Sequence, residues 1–215
     1  MNKFFQIFLF IILFGTFGAT SAPAQQWTDL QPLPDIAKPD PDKVELGKAL
    51  FFDRRLSGDG TVSCAVCHIP DEAFAEGQKI ASAYPTNKHW RHSESLLNVA
   101  YLDVFFWDGR SRSLEQQALQ PIHSPFEMNL NPRYLVAKLR EIPEYQQMFQ
   151  KAWEGRVSLE RIVGSLASFQ KTILTRNSPF DRYLAGDNQT LSAAALRGAE
   201  IFFSDRGGCS ICHSG

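Results

Sequence analysis

The sequence has no surplus of charge of either sign: 22 lysines and arginines stand against 23 aspartates and glutamates in 215 residues, a net charge of −1. A chain without a basic excess offers no broad positive face to a phosphate backbone, which excludes nucleic acid as a partner. No segment shows the alternation of apolar and polar residues that marks strands, so the fold class is all-α. Long apolar runs are also missing except at the N-terminus, where Phe4 to Phe17 is interrupted only by Gln6, Gly15 and Thr16. That run falls short of the roughly 20 residues of a spanning helix. With Lys3 before it and Ala22-Pro23-Ala24 after it, it reads as a secretory signal, residues 1–24, rather than an uncleaved anchor. The mature chain then has no membrane span. Its 44% hydrophobic content is enough for a packed core in one generous domain or two small ones.

Cysteine is scarce, and the four that exist fall in two identical spacings: Cys64-Ala65-Val66-Cys67-His68 and Cys209-Ser210-Ile211-Cys212-His213. This pattern attaches a c-type haem, the two thiols adding across the porphyrin vinyl groups and the histidine ligating iron from the proximal side. A zinc site or a pair of redox dithiols would use the same thiols, but neither explains a histidine directly after both pairs. Two covalent haem c groups are expected, with His68 and His213 as the iron ligands. Attachment of this type resembles the bacterial pathway outside the cytoplasmic membrane, which places the mature chain in the periplasm.

Trp27 to Pro41 is rich in proline and reads as an extended arm. Asp42 caps an expected helix from Lys43 to about Phe52, and Ser57-Gly58-Asp59-Gly60 turns the chain into the first motif. Ala73 to His92 reads as a long loop, Ser93 to Leu102 as a short helix, and Leu114 to Leu119 as a helix ending at Pro121. Three helices follow: Arg133 to Glu141, one opened by Pro143, and one capped by Ser158 with Leu159, Ile162, Val163, Leu166, Phe169 and Ile173 on its apolar side. Asn177 to Asn188 reads as a linker, and Leu191 opens a helix leading to the second motif. Leu46-Gly47-Lys48-Ala49-Leu50-Phe51-Phe52 is echoed, with one added residue, by Leu196 to Phe203. A repeated helix before a repeated motif implies tandem cytochrome-like haem domains: residues 25–185 as an N-terminal domain, and 186–215 as the start of a second.

Leu46-Gly47-Lys48, Leu50-Phe51-Phe52-Asp53, Ser63 to His68, Ser95-Leu96-Leu97-Asn98, Phe106-Trp107-Asp108-Gly109-Arg110, Pro125-Phe126-Glu127-Met128 and the terminal motif occur in this order. From about Val44 onward the chain therefore resembles the di-haem bacterial cytochrome c peroxidase family, which includes MauG. The resemblance implies a periplasmic enzyme that reduces hydrogen peroxide to water with electrons from a small reduced cytochrome c or cupredoxin. The first haem would be the peroxidatic centre and the second the electron acceptor. Trp107 matches the tryptophan that passes electrons between them, Glu127 the catalytic glutamate, Gln117 the pocket glutamine and Pro121 the proline that narrows the pocket. Peroxide cleavage needs a group that takes a proton from one oxygen and returns it to the other, as a carboxylate beside the iron can. On composition alone Trp107 would be core, and Glu127 and Gln117 surface residues. Arg110 and Arg112 can pair with haem propionates, since guanidinium matches carboxylate geometry. Surface ion pairs are the equal alternative. His123 faces solvent and has no role. The family also brings a homodimer as an expectation.

Departures from the family pattern bear on function. The histidine that caps the resting first haem in many members falls near Tyr84, with His89 and His92 displaced from it. His92 also stands where the family has an asparagine that helps hold calcium between the domains. Calcium prefers oxygen, so the ion is doubtful here. The chain stops two residues after His213, where members continue through a second domain and its methionine ligand, and Met1, Met128 and Met148 do not match that ligand. Two other readings follow from the same motifs: a MauG-like oxidase acting on a partner protein, and a non-catalytic c-type electron carrier.

Overall fold

The computed structural model describes residues 30–81 and 91–213. The expected signal, Trp27, Tyr84 and His89 lie outside the described residues. The chain divides into two compact units, one of Leu33–Ser178 and one that contains the segment from Pro179 onward. The described residues are helical, with two isolated antiparallel bridges and no strand.

Helix α1 (Pro41–Phe52) starts earlier than expected. Asp40, rather than Asp42, is the cap, accepting from the backbone N–H of Asp42 at 2.9 Å and of Lys43 at 3.1 Å. Pro41 fills the first helical position, where a missing N–H costs nothing. Asp42 pairs instead with Lys151 at 2.7 Å. Helix α2 (Cys64–Cys67) is a single turn carrying the first motif, and α3 (Leu114–His123), α4 (Pro132–Arg140), α5 (Pro143–Trp153) and α6 (Leu159–Gln170) complete the unit. Helix α1 packs chiefly on α6. They cross so closely that a Cβ added to Gly47 would stand 1.9 Å from the Ser165 carbonyl oxygen and 2.9 Å from Phe169 Cβ. Leu46, Leu50, Phe51, Ile122, Phe149, Ile162 and Leu166 fill the core between these helices. At the end of α1, Asp53 accepts from the Tyr145 hydroxyl at 2.7 Å and pairs with Arg55 at 2.7 Å, while Lys138 donates to the Arg55 carbonyl at 2.9 Å. This cluster ties α1 to α4 and α5. The proline-rich arm is held by Arg176, which donates to Asp35 and the Pro34 carbonyl, and by Tyr101, whose hydroxyl donates to Pro34 at 2.8 Å.

Two expected boundaries move. Pro121 lies inside α3 instead of ending it. The ring deletes one helical hydrogen bond, but the helix is nearly finished there and closes through Ser124 N–H to the Gln120 carbonyl at 3.0 Å. Ser93 to Leu102 is not an α-helix: only Val99–Tyr101 forms a 3-10 turn. Ser95 Oγ donates to the Ala73 carbonyl at 2.6 Å and accepts from Leu97 N–H at 3.1 Å, and Asn98 takes a left-handed conformation. These side-chain bonds replace the helical ladder.

In the second unit, the segment expected to be linker contains a short helix, α7 (Pro179–Leu184). Its proline marks a helix start and Gly186, at φ +103°, the turn beyond its end, punctuation that read as loop. Helix α8 (Ala193–Phe203) starts two residues after Leu191 because Ser192 caps it, accepting from Ala195 N–H at 3.2 Å.

Candidate haem and peroxide site

The loop before the first motif is built by side-chain bonds to backbone. Ser57 Oγ donates to the Arg54 carbonyl at 2.9 Å and accepts from Val62 N–H at 3.1 Å, and Gly58 N–H donates to the Met128 carbonyl at 2.8 Å. The last bond joins this loop to the turn that carries Glu127. Within the motif, His68 N–H closes the helical turn on the Cys64 carbonyl at 2.9 Å. The His68 Nδ1–H donates to the Phe74 carbonyl at 3.0 Å, a bond of the kind that orients a ligating imidazole. Ala73 and Phe74 hold that carbonyl in place in left-handed conformations, φ +56° and +53°. Such positions are uncommon for residues with a Cβ and recur at functional sites.

The expected first-site residues other than Arg112 meet in one cavity. Cys64, Cys67 and His68 line it together with Gln117, Pro121, Glu127, Trp107 and Arg110, and Phe51, Leu96, Leu114 and Leu166 supply apolar walls. Arg112 is not among the lining residues; its backbone N–H donates to Gln116 Oε1 at 3.1 Å. His123 is exposed, its Nδ1–H donating to the Leu119 carbonyl at 2.9 Å. Trp107 is 62% exposed, so it is not core. It lies in a tight turn between Phe106 and Gly109, both at φ +67°, closed by the bridge of Phe105 with Ser111. Its indole N–H donates to the His92 carbonyl at 3.2 Å. Arg110 stacks 3.5 Å over the Phe106 ring and pairs with Asp108 at 2.8 Å, and Arg91 reaches the same carboxylate at 3.3 Å.

Burial pushes the Cys64 and Cys67 thiols up to about 12, helped at Cys64 by the neighbouring Cys67 and at Cys67 by Glu76 and Glu127. Burial likewise lowers the His68 pKa, outweighing its bond to Phe74, and keeps the imidazole neutral as a ligand must be. Two thiols beside an imidazole oriented by a backbone carbonyl, with apolar walls and a cavity-lining arginine, fit a haem.

The His92 Nδ1–H donates to the Gln78 carbonyl at 2.6 Å. Among the described residues no group of three or more His, Cys, Asp or Glu is placed to hold a metal ion.

The second motif repeats the turn without the enclosure. His213 N–H bonds the Cys209 carbonyl at 3.0 Å, yet Cys212, His213 and Ile211 are exposed. Sequence reasoning missed the residues around the first motif that have no motif of their own: Glu76, which is 6% exposed, and Gln120, which accepts from Arg110 Nε at 2.7 Å. The signal for Gln120 was its spacing, one helical turn beyond Gln117.

A helical unit that presents a Cys-x-x-Cys-His turn to an apolar cavity, with the imidazole oriented by a backbone carbonyl, is a cytochrome c-like haem domain. Residues 41–189 match the family described as di-haem cytochrome c peroxidase. The chain is 38% identical over 198 residues to the cytochrome-c peroxidase IdrP2 of Denitromonas iodatirespirans, covering 91% of this chain and 54% of that protein. It is 40% identical over 175 residues to the methylamine utilization protein MauG of Methylophilus methylotrophus, covering 80% and 52%. A crystal structure of a MauG-like protein associated with microbial copper homeostasis superposes with a TM-score of 0.76 at 28% identity, covering 91% of this chain and 58% of that one. The chain thus belongs to the di-haem cytochrome c peroxidase family, and spans about half the length of these curated relatives.

Proposed function

We propose that residues 25–185 form the peroxidatic haem domain of a periplasmic di-haem cytochrome c peroxidase, and that residues 186–215 open its electron-accepting domain. The observation that carries this reading is the convergence of Glu127, Gln117 and Pro121 on the cavity lined by Cys64, Cys67 and His68. When bound through the two thiols, a haem supplies the redox centre at which peroxide is reduced. Glu127 takes the proton from one peroxide oxygen and delivers it to the other, which leaves as water. Gln117 offers an amide donor and acceptor to hold the peroxide in place, and Pro121 narrows the space beside it. Trp107, its ring oriented by the bond to the His92 carbonyl, would be the conduit for electrons passing to a haem at His68. The overall reaction consumes one peroxide, a pair of protons and a pair of electrons from a small cytochrome c or cupredoxin, and yields two waters.

The test is Glu127→Gln in the haem-loaded chain. Loss of proton transfer should cost about 100-fold or more in peroxide turnover, with haem content unchanged by absorbance. Unchanged turnover would remove the role assigned to Glu127. Similarity to proteins named MauG favours a second reading, an oxidase that draws electrons from a partner protein. Under that reading peroxide is consumed without oxidising a reduced small cytochrome, which one stopped-flow comparison distinguishes.

A further inference from the structure

Helix α3 presents Gln117 and Pro121 to the cavity, whereas Gln120, between them in sequence, does not line it. The Gln120 side chain reaches the turn that carries Trp107 instead. Its Oε1 accepts from Arg110 Nε at 2.7 Å, and its Nε2 donates to Ser111 Oγ at 2.7 Å. A guanidinium has donors only, so the amide oxygen faces Arg110 and the NH2 group is left for the serine hydroxyl. Both ends of one amide therefore grip two consecutive residues where the turn closes, and Ser111 is fully buried.

The turn itself is cross-braced. Phe105 N–H donates to the Ser111 carbonyl at 3.0 Å and Gly109 N–H to the Phe106 carbonyl at 2.9 Å, while Arg110 stacks over the Phe106 ring and pairs with Asp108. Its other tethers run to the segment at Arg91 and His92: the Trp107 indole N–H to the His92 carbonyl, and Asp108 to Arg91. His92 is exposed, and the Arg91–Asp108 pair joins side chains 36% and 43% exposed, a kind of pair that holds weakly. Gln120, by contrast, stands on a helix anchored in the core through Leu114, Ala118 and Ile122.

We propose that Gln120 is a positioning residue for the electron step, fixing the Trp107 turn to the helix that also presents Gln117 and Pro121 to the cavity. Electron passage between a ring and a haem weakens steeply with their separation, so a conduit has to be held by a neighbour whose own side chain is locked by hydrogen bonds. This inference rests on the assignment of haem to Cys64, Cys67 and His68 and of the conduit to Trp107.

The experiment uses the full haem-loaded chain carrying Cys209→Ser and Cys212→Ser, labelled with fluorotryptophan, with the Trp107 fluorine resonance assigned by Trp107→Phe. Haem on the peptide containing Cys64 and Cys67 is established first by mass, and its absence would refute the haem assignment and the proposal with it. Unpaired electrons on ferric iron make the Trp107 resonance sensitive to its distance from the haem. Gln120→Leu, which removes both bonds, should move that resonance, leave the Trp153 resonance in place, and slow reduction of the ferric haem by a reduced small cytochrome c several-fold. Gln120→Glu, which keeps an acceptor for Arg110, should return the resonance most of the way to the parent position. A haem-loaded Gln120→Leu protein with the parent's thermal midpoint and an unmoved Trp107 resonance would overturn the proposal. Should leucine prevent folding, Gln120→Ala decides by the same resonance. Trp107→Phe separates this from the reading beneath it: reduction as fast as in the parent would refute the conduit role of Trp107, whatever the resonance shows of Gln120.

Discussion

In the first unit the phenylalanines before the motif, Phe51 and Phe52, stand 5.3 Å apart at 67°, and Phe51 lies 6.5 Å from the His68 ring at 43°. In the second unit Phe202 and Phe203 stand 4.9 Å apart at 65°, and Phe202 lies 6.3 Å from His213 at 48°. The echoed sequence therefore builds the same local object twice, even though the loop between helix and motif is shorter in the second copy. What differs is everything around it. Phe51 is fully buried and also packs 5.1 Å from Phe169 and 6.2 Å from Phe74. Helix α8 has no buried residue. Among the described residues the shared object is a turn and a ring contact, and only the first copy is enclosed.

The two helices before the motifs give the sharpest contrast in stability. Gly47→Ala would drive a Cβ into the Ser165 backbone, and overpacking of this kind costs about 1–3 kcal/mol. Gly198, its counterpart, has nothing within 4 Å of the added atom, so Gly198→Ala should stabilise α8 by up to about 1 kcal/mol through helix propensity. Thermal midpoints of the two variants should move in opposite directions. Movement in the same direction would mean that the repeat is no guide to packing.

A smaller effect is expected where each helix ends, at Asp53 and at its counterpart Ser204. Burial pushes the Asp53 carboxyl up, but hydrogen bonds from Arg55 and Tyr145 outweigh it and hold the group below its usual range. A lowered folded-state pKa adds stability above the unfolded value near 3.8, and that stability disappears as pH falls through the folded value. Asp53→Asn should therefore cost about 1–2 kcal/mol at neutral pH, with the two proteins converging in acid. Ser204→Ala, whose hydroxyl donates only to the nearby Ile201 carbonyl, should change little at any pH. Melting curves across pH 2 to 7, as a roughly chosen window for carboxylates, check both.

Much of this was legible from the residues. The all-α class, the helices from Pro132 to Gln170 and the meeting of Glu127, Gln117, Pro121 and Trp107 at the first motif all have short-range or motif signals. Helical periodicity and capping serines are local, and the structure places them within a residue or two. Less legible were features decided by partners distant in sequence. Ser93 to Leu102 has helical composition, but Ser95 bonds Ala73 and Asn98 bonds Thr175, so tertiary bonds override propensity. Glu76 carries no pattern of its own, and only the folding of the loop after His68 buries it. Strain was equally hidden, because nothing in Ala73-Phe74 announces two consecutive left-handed residues.

The most direct measurement takes the exported, haem-loaded chain and compares two double variants, Cys64→Ser with Cys67→Ser and Cys209→Ser with Cys212→Ser. Each is assayed by peptide mass for attached haem and by a peroxide titration of the reduced spectrum. Removal of the exposed motif should leave a haem at Cys64 and Cys67 that peroxide oxidises rapidly, and removal of the enclosed motif should abolish that reaction. A peroxide response that survives loss of Cys64 and Cys67, or a haem at those residues that ignores peroxide, would contradict the account.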